Sequence, residues 1–174
     1  MSMSSSLDDR SGGFRPKLIV FDLDFTLWPF WVDTHVTVPF TRKSNGSVVD
    51  RNGYKIKLYD ESLAILELLR SKGMCMAAAS RTEDPPAAKE LLKVLDIDKY
   101  FSYKEIYPGS KVSHFKKFAQ ASGIPYKDML FFDDEERNIQ EISRLGVTCV
   151  LVERGMKQAV LENGLKKFAT MRAR

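Results

Sequence analysis

Five short runs of β-favouring apolar residues punctuate the chain, at residues 17–21, 74–79, 104–107, 129–132 and 148–152. Between them apolar residues recur at helical spacing. Leu63, Leu66 and Leu69 mark one helix face, Leu91, Leu92 and Leu95 a second, and Val112, Phe115, Phe118 and Ala119 a third. Ile139, Ile142 and Leu145 mark a fourth face, and Val160, Leu161, Leu165 and Phe168 a last one. Pro85 and Pro86 suit the opening turn of the second helix, where a missing N–H costs nothing, and Gly73, Gly123 and Gly146 fall where helices end. Strand and helix alternating in this way predict a parallel sheet covered on both faces, because right-handed crossovers deliver successive helices to those faces. The expected fold is doubly wound, Rossmann-like α/β.

Residues 28–59 break the alternation. They lack helical periodicity, contain Pro29, Pro39, Gly46 and Gly53, and show two alternating runs, 34–40 and 54–59, across a polar middle. This reads as a β-hairpin cap inserted after the first strand, over the crevice at the carboxyl ends of the strands where ligands bind in such sheets. Residues 1–15 are rich in Ser and Gly and predict a disordered tail, leaving 16–174 as a single domain. A chain of 174 residues can bury a core without staples. No apolar run nears the roughly 20 residues needed to span a bilayer. Lys and Arg number 27 against 23 acids, a mild excess with no basic run, so neither nucleic acid nor membrane is an expected partner. Cys75 and Cys149 sit in apolar segments without metal spacing and are expected to be reduced core residues. A cytoplasmic monomer is expected, with the nucleus or an organelle left open.

The candidate chemistry lies at the strand ends. The first strand runs into Asp22-Leu23-Asp24-Phe25-Thr26 and the fourth into Asp133-Asp134-Glu135-Glu136, so two strand ends bring acids to one edge of the sheet. Such a cluster is costly unless neutralised, and a hard divalent cation with oxygen ligands, Mg²⁺, is the simplest compensation. The second strand ends in Ser80-Arg81-Thr82 and the third leads through Pro108-Gly109-Ser110 to Lys111. Taken singly, Ser80 is a helix cap and Lys111 a first-turn lysine. Taken together, the four strand ends can hold a cation on carboxylates and a phosphate on the cation, a hydroxyl and a lysine.

The order DxDxT, serine, lysine, DD resembles the haloacid dehalogenase superfamily of aspartate-nucleophile phosphatases. More narrowly, DLDFTLWPFWVDTHV, AAASRT, EIYPGSKVSHF and FFDDEERNI resemble the eukaryotic magnesium-dependent phosphatase type. The resemblance implies that Asp22 attacks phosphorus to form an aspartyl-phosphate, and that Asp24 protonates the leaving oxygen and then takes a proton from water. It implies Mg²⁺ on the Asp22 carboxylate, the Asp24 backbone carbonyl and Asp133, with Thr26 bracing the loop. Ser80, Arg81 and Lys111 would bind the phosphate, and Asp134 would orient Lys111 or a metal-bound water.

The expected substrate is a phosphotyrosyl protein or a small phosphorylated sugar or fructosamine. Trp28, Phe30, Trp31 and Phe40 would either stack on it at the mouth or pack the hairpin onto the body. The alternatives are a non-catalytic domain or a phospho-accepting signalling domain, which shares Asp, Mg²⁺, hydroxyl and Lys but carries its phosphorylated Asp on a middle strand. Neither GxGxxG nor a Walker A run points to a nucleotide. His35 could line the entrance, His114 packs or faces solvent, and Asn138 has no firm assignment.

Overall fold

The computed structural model describes residues 14–174. Five parallel strands form the central sheet: β1 (Leu18–Phe21), β5 (Met76–Ser80), β6 (Tyr103–Ile106), β7 (Met129–Asp133) and β8 (Thr148–Leu151), in the spatial order β6-β5-β1-β7-β8. The helices are α1 (Ser62–Ser71), α2 (Pro85–Val94), α3 (Lys111–Ser122), α4 (Glu136–Ser143) and α5 (Gln158–Arg172). β1, β5 and β7 are buried along their whole length, as interior strands covered on both faces must be. On one face Ile19, Phe21 and Phe132 pack with Leu66, Leu91, Leu161 and Phe168, from α1, α2 and α5. On the other, Leu18, Val20 and Phe131 meet Phe115 and Phe118 of α3 and Ile142 of α4. The fold is therefore doubly wound α/β, as the alternation predicts. Among the described residues no helix is long and apolar enough to cross a membrane.

The helix ends follow the local chemistry. Asp84 caps α2 by accepting the Ala87 N–H at 3.2 Å, with proline in the first turn. Gly123 ends α3 in the left-handed conformation, φ 71°, which a side chain would oppose. In α1 the buried stripe is Ser62, Ile65, Leu66 and Leu69, an i, i+3, i+4, i+7 set, and Leu63 is exposed. Leu63 thus lies beside the core face rather than on it.

The insertion holds a small antiparallel sheet, β2 (Thr41–Arg42), β3 (Val48–Val49) and β4 (Lys55–Ile56), turned at Asn45-Gly46 and Asn52-Gly53 with glycine φ of 87° and 85°. Residues 34–40 form no strand. The Asp50 carboxylate takes the N–H groups of Thr37, Asn52 and Tyr54, all at 2.9 Å, and Pro39 has no N–H to offer, so this run has no ladder to join. The flap is moored on α2, where Arg42 Nη2 donates to the Val94 carbonyl at 2.6 Å. The expected tail lies outside the described residues as far as residue 13. Its last residue, Arg15, belongs to the body: the guanidinium donates to the Lys72 carbonyl at 2.8 Å.

Candidate active site

Strand register fixes what meets at the carboxyl edge. Phe21 pairs with Ala78 on one side and Phe132 on the other, so Asp22, Ser80 and Asp133 emerge together from three adjacent strands. The Lys111 side chain enters from the start of α3, held there by the Ser110 cap on the Val112 N–H at 3.2 Å. Lys111 is fully buried and its ammonium donates to Asp22 Oδ1 at 2.8 Å and Asp133 Oδ2 at 2.7 Å. Burial opposes its charge, but the two carboxylates outweigh burial and raise its pKa above the ordinary lysine value. Thr26 Oγ1 donates to Asp22 Oδ2 at 3.0 Å, so both oxygens of Asp22 are braced.

The acids outnumber this cation. Asp22, Asp133 and Asp134 each place an oxygen within 4.8 Å of the others. Burial and the Asp22 charge push Asp133 up to about 6 despite Lys111. Asp134 is pushed up to about 9 by burial and by Asp22, Asp133 and Glu135. A cluster of hard oxygens with excess negative charge fits a magnesium ion by its donor chemistry. Lys111 is hydrogen-bonded to Asp22 and Asp133 and not to Asp134, which stands in the carboxylate cluster itself.

Asp24 occupies a different environment. Its Oδ1 accepts the Trp28 indole N–H at 2.7 Å and the Val32 N–H at 3.1 Å. Burial, with the Asp22 and Asp33 charges, raises its pKa to about 7 against those hydrogen bonds. Asp22 and Asp24 line one cavity of about 190 Å³ together with Ser80, Arg81 and Lys111. Ser80 Oγ accepts the Thr82 N–H at 3.2 Å, and the Arg81 guanidinium lies 3.2 Å from Asn138 Oδ1.

Two further residues stand in this cavity, Asn138, which the sequence leaves between a metal-bound water and the opening of a helix, and Asp33, to which it gives no role. Asn138 is buried, donates to Asp133 Oδ2 at 3.0 Å and accepts from Arg81, linking a phosphate-binding candidate to the carboxylate cluster. Asp33, on the flap, accepts the Thr82 hydroxyl at 3.2 Å and the Glu83 N–H at 3.0 Å. The spacing of Asn138 from Asp133, on the opening turn of α4, was the available signal for the first; Asp33 had none.

Of the four aromatics expected near the mouth, Trp31 alone lines the cavity, at 48% exposure, while Trp28, Phe30 and Phe40 are buried. His35 stacks on Trp31 with centroids 5.2 Å apart and is not among the lining residues. His114 is buried behind the site, with Nε2 2.9 Å from the carbonyls of both Ser80 and Tyr107. Cys149 is buried and its thiol is pushed up to about 12 by burial, whereas Cys75 is only half-buried, being on the strand's approach rather than within it.

Acid groups on two central strand ends, a hydroxyl and a buried lysine on two others, and a small cap after β1 define a phosphatase of the haloacid dehalogenase superfamily. The chain belongs to the acid phosphatase family, whose model matches residues 15–171. Within it the chain is similar to the human magnesium-dependent phosphatase 1, with 53% identity over 154 residues, 88% of each chain. It is also 44% identical to a haloacid dehalogenase-like hydrolase superfamily protein of Schizosaccharomyces pombe, covering 76% of this chain and 83% of that one. A superfamily hydrolase from Ehrlichia chaffeensis shares the fold, with a TM-score of 0.65 at 13% identity over 89% of this chain and 98% of the other.

Proposed function

We propose that the chain is a magnesium-dependent phosphomonoester hydrolase that works through an aspartyl-phosphate on Asp22. The observation that carries this is the single cavity shared by Asp22, Asp24, Ser80, Arg81 and Lys111, next to the carboxylate cluster. Mg²⁺, held by Asp22, Asp133 and the Asp24 carbonyl with Asp134 in the same cluster, would supply positive charge to the phosphoryl oxygens.

The remaining work falls to the side chains. Thr26 and Lys111 hold the Asp22 carboxylate on both oxygens, which fixes its aim. An oxygen of Asp22 bonds to phosphorus as the ester oxygen leaves, and Asp24 passes its proton to that oxygen. In the second half Asp24 takes a proton from water, the water oxygen bonds to phosphorus and the bond to Asp22 breaks. A pKa near 7 suits both tasks, since a carboxyl of that kind can hold a proton and release it at neutral pH. Ser80, Arg81 and Lys111 bind the nonbridging oxygens.

We place the substrate among phosphotyrosyl proteins and small sugar or fructosamine phosphates. The half-exposed Trp31 offers a flat apolar face to a phenyl or sugar ring at the mouth. The test is mass spectrometry of acid-quenched enzyme across a panel of phosphotyrosyl peptides, sugar phosphates and fructosamine phosphates, with Mg²⁺ or with chelator. The expected result is phosphate on an Asp22 peptide, in the presence of metal only, and phosphate on another residue would overturn the proposal. Metal binding has its own prediction. Asp134→Asn should raise the Mg²⁺ concentration for half-maximal activity by roughly 10- to 100-fold and leave kcat at saturating metal near the parent value. An unchanged magnesium titration would remove Asp134 from the metal site.

A further inference from the structure

Trp28 is a fully buried tryptophan whose N–H is spent on a carboxylate of the active site. Its indole N–H and the Val32 N–H converge on Asp24 Oδ1, at 2.7 and 3.1 Å, and among the described residues no hydrogen bond reaches Asp24 Oδ2. Both donors belong to the flap, and both are fixed in place. The Trp28 ring stacks on Phe30 with centroids 5.7 Å and planes 9° apart, and its carbonyl accepts the Phe25 N–H at 2.7 Å. Val32 is followed by Asp33, whose bonds to Thr82 and Glu83 pin that segment to the loop after β5.

A carboxylic acid has one oxygen that accepts and one that carries the proton. An oxygen already facing two N–H donors cannot direct a proton along the same lines. We propose that Trp28, with the Val32 N–H, is a positioning residue that makes Oδ1 the accepting oxygen of Asp24, a residue that lines the cavity, and leaves Oδ2 to carry the transferable proton. This rests on the acid–base role proposed for Asp24. In the first half-reaction the Oδ2–H bond breaks as the leaving oxygen gains that proton and the P–O bond passes to Asp22. In the second, Oδ2 gains a proton from the attacking water as the Asp22–phosphorus bond breaks. Without the indole donor Oδ1 keeps only the longer bond from Val32, the distinction between the two oxygens weakens, and the carboxyl group presents its proton to the leaving oxygen in fewer of its orientations.

The experiment uses the full chain at saturating Mg²⁺, with three substitutions: Trp28→Phe, Trp28→benzothienylalanine, and Asp24→Asn. Benzothienylalanine keeps the bicyclic shape and replaces the N–H by sulfur, so it tests the donor even if Trp28→Phe fails to fold. Rapid-quench measurement of phospho-enzyme formation is made with an alkyl phosphate and with p-nitrophenyl phosphate, whose leaving oxygen needs little protonation. Both Trp28 substitutions should slow this step roughly 10- to 100-fold with the alkyl ester and only a few-fold with the aryl ester. KM and the magnesium titration should not move. Asp24→Asn should show the same bias toward the alkyl ester, larger in size. Equal loss on both substrates, or no loss, in a folded benzothienylalanine chain overturns the positioning role while a biased Asp24→Asn preserves the acid–base reading. An unbiased Asp24→Asn overturns that reading itself, and the positioning role with it.

Discussion

Asp22→Asn is expected to lower turnover by roughly 10⁴-fold or more while leaving the fold intact. The amide nitrogen is a poor nucleophile toward phosphorus, and the amide carries no charge with which to hold a cation. The surroundings tolerate the exchange because Asn has the same shape. Its carbonyl oxygen can still accept from the Lys111 ammonium, and its NH₂ can face the Thr26 hydroxyl, which accepts as readily as it donates. Removing one of three clustered carboxylates also relieves repulsion, so the thermal midpoint measured in chelator should not fall. The measurements are steady-state turnover, intact-mass analysis to exclude deamidation, and thermal unfolding with and without Mg²⁺. Parent-like turnover from a chain shown to retain Asn would remove Asp22 as the nucleophile.

The parts of this molecule that the chain's pattern reveals are those with a repeated signal. The interior strands are built on apolar runs, and an acid that follows β1 or closes β7 is out of keeping with an apolar core, so both sheet and edge chemistry are legible from the sequence. The flap is legible as an insertion but not in detail, because one side chain decides it: Asp50 gathers three N–H groups and keeps residues 34–40 out of the small sheet. The two tryptophans pose the same difficulty. Trp28 and Trp31 are three residues apart in one apolar segment, yet one is fully buried against Asp24 and the other is 48% exposed at the mouth. Asp33 is a single polar residue without periodic context, and only the folded chain brings it against Thr82, whereas Asn138 has its spacing from Asp133 as a signal but not its bond to Arg81. Asp134 is similar. Consecutive residues of a strand point to opposite faces, but β7 ends at Asp133, and the turn beyond it carries Asp134 into the same cluster.

Lys111→Met should be the most damaging change to the fold among the site residues, and its size should depend on metal. The lysine is fully buried and is bonded to two carboxylates that are themselves nearly inaccessible. Removing one partner of such a group leaves uncompensated buried charge, a loss of about 3–5 kcal/mol in chelator. The methionine stem can occupy the channel and contact the Phe131 ring, which lies 5.3 Å from the lysine nitrogen, so cavity formation adds little. Two responses remain open to the orphaned acids. Asp133, already raised to about 6 with the lysine present, can take up a proton, or the cluster can bind Mg²⁺ more tightly than before. In either case the stability deficit should shrink on adding Mg²⁺, in denaturant titrations run with chelator and with millimolar metal. Activity should not follow. In the proposed reaction the ammonium also meets the nonbridging oxygens as charge builds on them, and a cation bound elsewhere in the cluster cannot supply those N–H donors, so kcat at saturating Mg²⁺ should stay depressed by roughly 10²- to 10³-fold. A substitution that is fully stable in chelator would show that the lysine does not neutralise the cluster, and one whose kcat recovered with magnesium would show that it serves the metal site alone.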